Sequence, residues 1–346
     1  MLHKKSILIT GAAGTIGKAL SFQAIHQNAE KIILLDNAET PLYNLEQEIS
    51  LKFHALLDIE HVLMDVKDER SMEALFERFR PEIIFHAAAY KHVPVLEKNP
   101  ITAVVNNVLG TKILADLSVK YHVGKFIFIS TDKAINPSSI MGATKLIGEK
   151  YIVALSKCSI SKTKFIINRF GNILESNGSV VPLFRKQIKL NKIVTVTDEK
   201  ATRFFMSISQ AIELIFESLK IGKGGEVFVF DMGAAKNIFN LAIETIKSEG
   251  YLPHEDVKIK FTGLRPGEKL HEKYLENNIS LSKTEHPKIY KSKLNANFDL
   301  IKLNKMLETL FCLAKTNELK KMVTQMKVIV PEFKSINSTF EKLDTN

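Results

Sequence analysis

The chain has 346 residues, with 45% hydrophobic and 25% charged side chains, the proportions of a soluble globular protein of one large domain or two intimately joined ones. Lysine plus arginine is 48 against 38 acids, a formal charge of +10, but these residues are scattered among acids and no zinc-finger or RNA-binding signature accompanies them, so nucleic acid is not an expected partner. The densest basic stretch, "KIYKSKLNANFDLIKLNKM", reads as a solvated lysine-rich surface. Cys158 and Cys312 share no metal-ligand spacing, so neither a metal site nor a disulfide framework is expected. The first strand begins within a few residues of Met1, and no apolar run approaches the ~20 residues of a membrane span. With free thiols, the expectation is a cytoplasmic protein with no membrane span.

Five short apolar runs come first: "SILIT", "KIILLD", "HVLMDV", "EIIFHAAA" and "KFIFIST". Stretches of helical period separate them at 15–28, 41–56, 70–79 and 101–121. Continuous apolar strands alternating with amphipathic helices predict βαβ units and a parallel sheet buried on both faces. The fold class is therefore α/β, a Rossmann-type doubly wound sheet. Further on come "TKFIINRF", a helix near 180–190, a short strand "IVTVT", a helix at 207–220 and the strand "EVFVFDM". Past about Gly171 the alternation loosens. Residues 1–171 with about 201–235 are expected to form the nucleotide-binding domain. About 172–200 and 236–346 are expected to interleave in a smaller C-terminal substrate-binding lobe, helical at 300–330.

The first loop, "LITGAAGTIGKAL", puts Gly11, Gly14 and Gly17, with Thr15 and Ile16 between them, directly after the first strand and into a helix. Glycine lets backbone amides approach a pyrophosphate, which the helix N-terminus then faces. The second strand ends in "LLDNAE", where Asp36 can hydrogen-bond adenosine ribose hydroxyls or cap the next helix. Its charge would repel a 2′-phosphate, which favours NAD, with NADP the alternative. Asp65 and Val66 follow the third strand at the height of the adenine. The fourth strand ends in Ala87, Ala88 and Ala89, small enough for a cofactor to lie on the backbone.

Ligands of open α/β sheets bind beyond the carboxyl ends of strands, where strand order switches. In "ISTDKAINPSSIMGATKL" the fifth strand ends at "IST", so Thr131, Asp132 and Lys133 should point into the cleft. Met141 and Lys145 are one helical turn apart and share a helix face. A threonine, an aspartate and two lysines around one cleft form a concentration of acid–base groups. A methionine stands, however, where an oxidoreductase segment of this kind would carry a proton-taking tyrosine.

The chain resembles an extended short-chain dehydrogenase/reductase, and within it the CapD-like polysaccharide-biosynthesis proteins, the UDP-N-acetylglucosamine 4,6-dehydratases. The motifs that carry this are "TGAAGTIG", "FHAAAYKHVPVLEKNP", "VNNVLGT", "STDKAINPSSIMGATK", "RFGNILESNGSVVPLFRKQI", "TVTDEKATRFFM", "GGEVFVFDMG" and "TGLRPGEKLHE". The resemblance implies a tightly bound, recycled NAD and a UDP-sugar substrate. It also implies a homo-oligomer, dimer or hexamer, and makes methionine at 141 the mark of an active subtype. Asn107 joins the implied cofactor set. Since a thioether is neither acid nor base, Thr131 is expected to relay the C4 hydroxyl proton. Lys145 is expected to bind nicotinamide ribose and supply positive charge. Lys133 would take the C5 proton, its pKa lowered by burial and by Lys145, and Asp132 would protonate the departing C6 hydroxyl.

For the nucleotide, the resemblance brings in Lys91, Asn172, the helix-start residues Ser179, Val180 and Val181, and Arg265 with Glu268, the latter on ribose or uracil. Arg203 is either on the substrate side or in an ion pair. One departure is Glu175, where the family commonly has a small residue near the phosphates. A UDP-hexose 4-epimerase is the alternative enzyme, and a non-catalytic dinucleotide sensor the alternative from another class. Neither requires the Asp132–Lys133 pair.

Overall fold

The computed structural model describes residues 2–53, 58–158, 161–273, 281–292 and 299–344. Its first half runs β1 (Ser6–Thr10), α1 (Thr15–His26), β2 (Lys31–Asp36), α2 (Glu39–Lys52), β3 (Ile59–Leu63), α3 (Glu69–Phe79), β4 (Ile83–His86), α4 (Val93–Lys98), α5 (Pro100–Ala103), α6 (Gly110–Lys120), β5 (Lys125–Ile129), α7 (Ile140–Ser156) and β6 (Lys164–Arg169). The second half runs β7 (Asn172–Ile173), α8 (Val180–Asn191), β8 (Ile193–Val196), β9 (Thr202–Arg203), β10 (Phe205–Met206), α9 (Ile208–Ile221), β11 (Glu226–Phe230), β12 (Lys236–Asn237), α10 (Ile238–Ser248), β13 (Lys258–Phe261), β14 (Leu281–Lys283), β15 (Ile289–Ser292), α11 (Leu300–Lys315) and α12 (Leu319–Ile329). The helix read at 101–121 is broken by a π-helical turn at Val104–Leu109, between α5 and α6. Of the helix read at 41–56, residues 54–56 lie outside the described residues. No helix among the described residues is long and apolar enough to cross a membrane.

The apolar runs build one nine-stranded sheet in the order β14-β15-β11-β6-β5-β4-β1-β2-β3. From β3 to β11 all pairs are parallel, and β14 and β15 add antiparallel at the far edge. Strand order reverses between β1 and β4, and the crevice there is where such sheets bind ligands. Two apolar layers cover the sheet. One includes Phe126, Phe128, Leu146 and Ile152, the other Leu20, Ile33's neighbour Leu34, Phe85 and Phe228. A third cluster, with Phe184, Ile188, Val194, Leu241 and Ile246, is the core of the smaller lobe made by α8, α10, β8 and β13.

The chain's last stretch sits elsewhere than its expected place in that lobe. Leu303, Leu307 and Leu310 of α11, and Met322, Val323 and Met326 of α12, join the core layer that holds α7. Strands β14 and β15 extend the main sheet. The physical reason is the apolar outer face of α7, which is buried along nearly its full length and needs cover that the smaller lobe does not reach.

A buried ion pair fixes α7 to the sheet. Arg169, at the end of β6, donates from Nε to both carboxylate oxygens of Glu149 at 3.0 Å, and Ser130, at the end of β5, donates to the same carboxylate. Glu149 and Arg169 are 0% and 1% exposed. Removing one member of such a pair leaves a charge buried without its counter-charge, at a cost of about 3–5 kcal/mol. Glu149→Gln is therefore expected to lower stability by about that amount in urea unfolding, and the double change to Glu149→Met with Arg169→Met by markedly less.

Candidate active site

The loop after β1 passes beneath β4. Gly11 has φ +67°, and a Cβ there would lie 2.7 Å from the Ala88 backbone; one on Gly17 would lie 2.0 Å from the Gly11 carbonyl oxygen. Gly14 caps α1 without any side-chain hydrogen bond, which leaves the first amides of the helix available to an anion. Asp36 accepts from Ala13 N at 2.9 Å and Ala38 N at 3.0 Å, so its carboxylate braces the glycine turn and the start of α2 together. Beside it lies a small recess of about 280 Å³, lined by residues that include Asp36, Val66, Ala87, Ala88 and Ala89.

A large cavity of about 1340 Å³ runs from this loop across the strand ends to the smaller lobe. Gly11, Gly14, Thr15, Ile16 and Gly17 line one end. Thr131, Lys133, Met141 and Lys145 line it too, as do Lys91, Asn172, Ser179, Val180, Arg265 and Glu268, and the Ser176–Gly178 turn meets the glycine loop where Asn177 N donates to Thr15 Oγ1 at 3.2 Å. Residues from five separate sequence motifs thus line one cavity.

Several expected residues stand behind that wall. Asp65 is held by Lys67 Nζ at 2.7 Å and Asn37 Nδ2 at 3.2 Å. Asn107 is 1% exposed and bonds the Tyr90 backbone at 2.9 and 3.0 Å and the Thr144 hydroxyl at 3.1 Å, so it ties the β4 loop to α7. The Val181 side chain packs in the core of the smaller lobe. Asp132, 1% exposed, lies just behind Lys133.

The reactive cluster is tightly wired. Thr131 Oγ1 donates to Asp132 Oδ1 at 2.9 Å. Lys133 Nζ donates to the same oxygen at 3.0 Å and to Asn172 Oδ1 at 3.2 Å, and lies 3.8 Å from Glu272 Oε1. Among the described residues, the second oxygens of Asp132 and Glu272 are buried with no hydrogen-bond partner, though Glu272 Oε2 lies 3.8 Å from Lys269 Nζ. Burial disfavours charge on Lys133, but Asp132 and Glu272 outweigh it and hold its pKa above the usual lysine range. This corrects the expectation of a lysine whose pKa is lowered in place. The largest charges acting on it are Asp132, Glu272 and Arg203, rather than Lys145.

Lys145 is the depressed lysine. Burial on α7 lowers it to about 7, against the opposing charge of Glu149, and its Nζ lies 3.9 Å from the Phe128 ring centre. Met141 is 4% exposed and offers the cavity an apolar wall.

At the far end, burial raises the Glu268 carboxyl, but Arg265 and Arg203 more than offset this and hold its pKa below the usual carboxylate range. It binds Arg203 Nη2 at 2.7 Å and Arg265 Nε at 3.1 Å. Glu268 therefore aims two guanidinium groups, and Arg203 is both ion-paired and cavity-lining. Glu175 takes a left-handed turn, φ +59°, and pairs outward with Arg185 at 2.8 Å, away from the cavity. Glu272 and Lys269 were left unassigned from sequence; their signal was position, four residues beyond Glu268 and Arg265 in "RPGEKLHE".

The model of the polysaccharide biosynthesis protein family matches residues 7–294, and the chain belongs to that family. It is a CapD-like extended short-chain dehydrogenase/reductase. It is 43% identical over 294 residues to the capsular polysaccharide biosynthesis protein CapD of Staphylococcus aureus, which is 85% of this chain and 49% of that protein. The chain thus spans about half the length of that relative. Identity is 34% over 283 residues to a UDP-N-acetylglucosamine 4,6-dehydratase (inverting) of Campylobacter jejuni, covering 81% of this chain and 80% of that one. It is 32% over 287 residues to a UDP-glucose 4-epimerase of Rickettsia bellii, covering 82% and 81%. The solved structure of Pen from Bacillus thuringiensis superposes with a TM-score of 0.77 at 32% identity, over 86% of this chain and 90% of that one.

The state of Lys145 makes stability depend on pH. Between about 7 and the ordinary lysine value of 10.5 the folded chain binds fewer protons here than the unfolded chain. This contribution to stability therefore rises with pH across that window, and below it the full cost of burying the charge is present. Urea midpoints measured without nucleotide are expected to rise over pH 7–10 in the wild type, and Lys145→Met is expected to remove that part of the rise.

Proposed function

We propose that this chain is a nucleotide-sugar 4,6-dehydratase that converts UDP-N-acetylglucosamine to a UDP-4-keto-6-deoxy sugar for surface glycan or related amino-sugar synthesis. The observation that carries the reading is Lys133 on the cavity wall with Asp132 directly behind it at 3.0 Å. A C4 epimerase has no use for a base and an acid joined at this point, because it leaves C5 and C6 alone.

The residues present fit a dinucleotide. Gly11 and Gly17 leave room where a Cβ would clash, the α1 amides face the cavity end, and Asp36 lies beside the recess that suits adenosine. NAD, when bound there, supplies the acceptor and then the donor of a hydride. The carboxylate at Asp36 disfavours a 2′-phosphate. Lys145, close to half protonated near neutral pH, provides a donor to the nicotinamide side.

The chain's own groups move the protons. Thr131 Oγ1 takes the C4 hydroxyl proton and passes its own to Asp132 Oδ1 across 2.9 Å. Protonating Asp132 neutralises one of the two carboxylates that hold Lys133 charged. Lys133 then releases its proton more readily to water in the open cavity, from which it regains one at the end of the cycle, and the neutral amine accepts the C5 proton that the C4 ketone has acidified. Asp132 gives its new proton to the C6 hydroxyl, which leaves as water. Lys133 returns a proton to C5 as C6 is reduced. Oxidation at C4 thus arms the base for C5, and Met141 is an apolar wall with no proton to move.

Incubation with UDP-N-acetylglucosamine and NAD in D₂O, followed by proton NMR, is expected to show loss of the C6 hydroxymethyl, a new methyl signal and deuterium at C5. A C4 epimer without a methyl signal would assign the epimerase reaction instead. The pH dependence offers a second check. Lys133 must lose its proton to act, so the rate rises with pH through its pKa. Glu272→Gln removes a charge that keeps Lys133 protonated, and is expected to move the acid limb of the kcat profile to lower pH.

A further inference from the structure

Residues 300–344 lie beyond the 7–294 span shared with the family. The last part of this segment returns to the cavity. After α12, Phe333 is buried, and the backbone from Lys334 to Ser338 runs along the loop that precedes α7. Lys334 N donates to Pro137 O at 3.1 Å and Ile336 N to Ser138 O at 3.3 Å. On its other side, Ile336 O accepts from Gly267 N at 2.7 Å. Ser138 Oγ closes the triangle by donating to Gly267 O at 2.9 Å.

A second tie lies deeper. Glu97, at 9% exposure, accepts from Ile140 N at 2.7 Å through Oε1 and from Ser338 Oγ at 2.8 Å through Oε2. One carboxylate therefore joins the first amide of α7 to the returning segment. Packing is close: a Cβ on Gly267 would lie 2.7 Å from Ser139 Cβ and 2.9 Å from Glu97 Oε1. The segment is itself anchored. Lys327 Nζ donates to Ser335 Oγ at 2.8 Å and pairs with Asp344, Asp344 Oδ2 accepts from Ser335 N at 3.1 Å, and Lys150 of α7 pairs with Glu332 at 2.8 Å.

We propose that residues 334–338 form a positioning strap that holds the Arg265–Glu268 loop in register with the start of α7, and so sets the distance between the nucleotide end of the cavity and Thr131, Lys133 and Met141. Ile336 and Ser338 act through Gly267 and Glu97 and touch neither ligand. The inference rests on the reading of Arg265 as a nucleotide contact for its effect on binding, though not for its effect on the loops. A loop held by a few backbone bonds loses its aim when they go, and a shift of about 1 Å in such a site costs up to about a hundredfold.

The test compares the full chain, Ser338→Ala and a chain lacking 334–346. In hydrogen–deuterium exchange, both variants are expected to exchange faster at 137–141 and 263–268, with β1 to β5 unchanged. By calorimetry, UDP affinity is expected to fall about tenfold in the shortened chain while NAD affinity stays within about twofold. A strap that merely stabilises the fold would weaken both ligands alike. Should the shortened chain fail to fold, Ser338→Ala decides, since it removes one hydroxyl. Unchanged exchange at both loops in Ser338→Ala would overturn the proposal. Faster exchange there with no UDP binding in the wild type would uphold the strap and instead overturn the nucleotide reading of Arg265.

Discussion

Everything around the cavity depends on the carboxylate of Glu149. It gathers the ends of β5 and β6, through Ser130 and Arg169, onto the middle of α7. The strand ends carry Thr131 to Lys133 and Asn172, while the helix carries Met141 and Lys145. A charge pair in this position contributes little net stability over an apolar pair of the same shape, because both ions are desolvated. What it provides is registry, since the multiple guanidinium–carboxylate contacts here add geometric specificity. The same carboxylate lies one turn from Lys145, the lysine that burial has pushed close to neutrality. Position and protonation of the central residues are thus set from one buried point.

The two lysines of the cluster show how burial alone is a poor guide to charge. Lys145 has an aromatic ring and, one helical turn away, a single carboxylate already bound to Arg169 for company, and desolvation wins. Lys133 is less enclosed, at 19% exposure of its side chain, and two carboxylates face it, so attraction outweighs desolvation. Sequence could place both on the wall. It could not tell them apart, because the deciding partner, Glu272, lies 139 positions away along the chain and arrives only when the smaller lobe docks. The second oxygen of Asp132, which has no hydrogen-bond partner among the described residues, belongs to the same account: a buried acceptor left without a donor is costly, and it persists where a site has work for it.

Much of the architecture was legible beforehand. Strands with continuous apolar runs and a glycine loop leading into a helix are local signals, and β1 to β6 lie where such runs fall. The central residues of the site were legible for the same reason, since Thr131, Lys133, Met141 and Lys145 fall on one short stretch of chain and line one cavity. Long-range partnership was not legible. Asn107 turns inward to hold Tyr90, Glu268 is occupied by two arginines, and Glu175 turns away to Arg185. In each case the side chain is taken by a partner that no local pattern names. The destination of α11 and α12 was hidden similarly: their amphipathic period shows an apolar face but not which surface will receive it.

The hairpin of β14 and β15 has a consequence for how copies of this chain meet. Strand β11 is buried at every position, and uncovered it would end the sheet in a long apolar edge ready to pair with another chain. The hairpin takes that edge and replaces it with a three-residue strand ending in Lys283, with two of its three side chains exposed. At the opposite end, β3 carries Glu60 and His61 along its length. Both margins of the sheet thus carry charged or polar side chains of the kind that discourage a neighbouring chain from adding a strand.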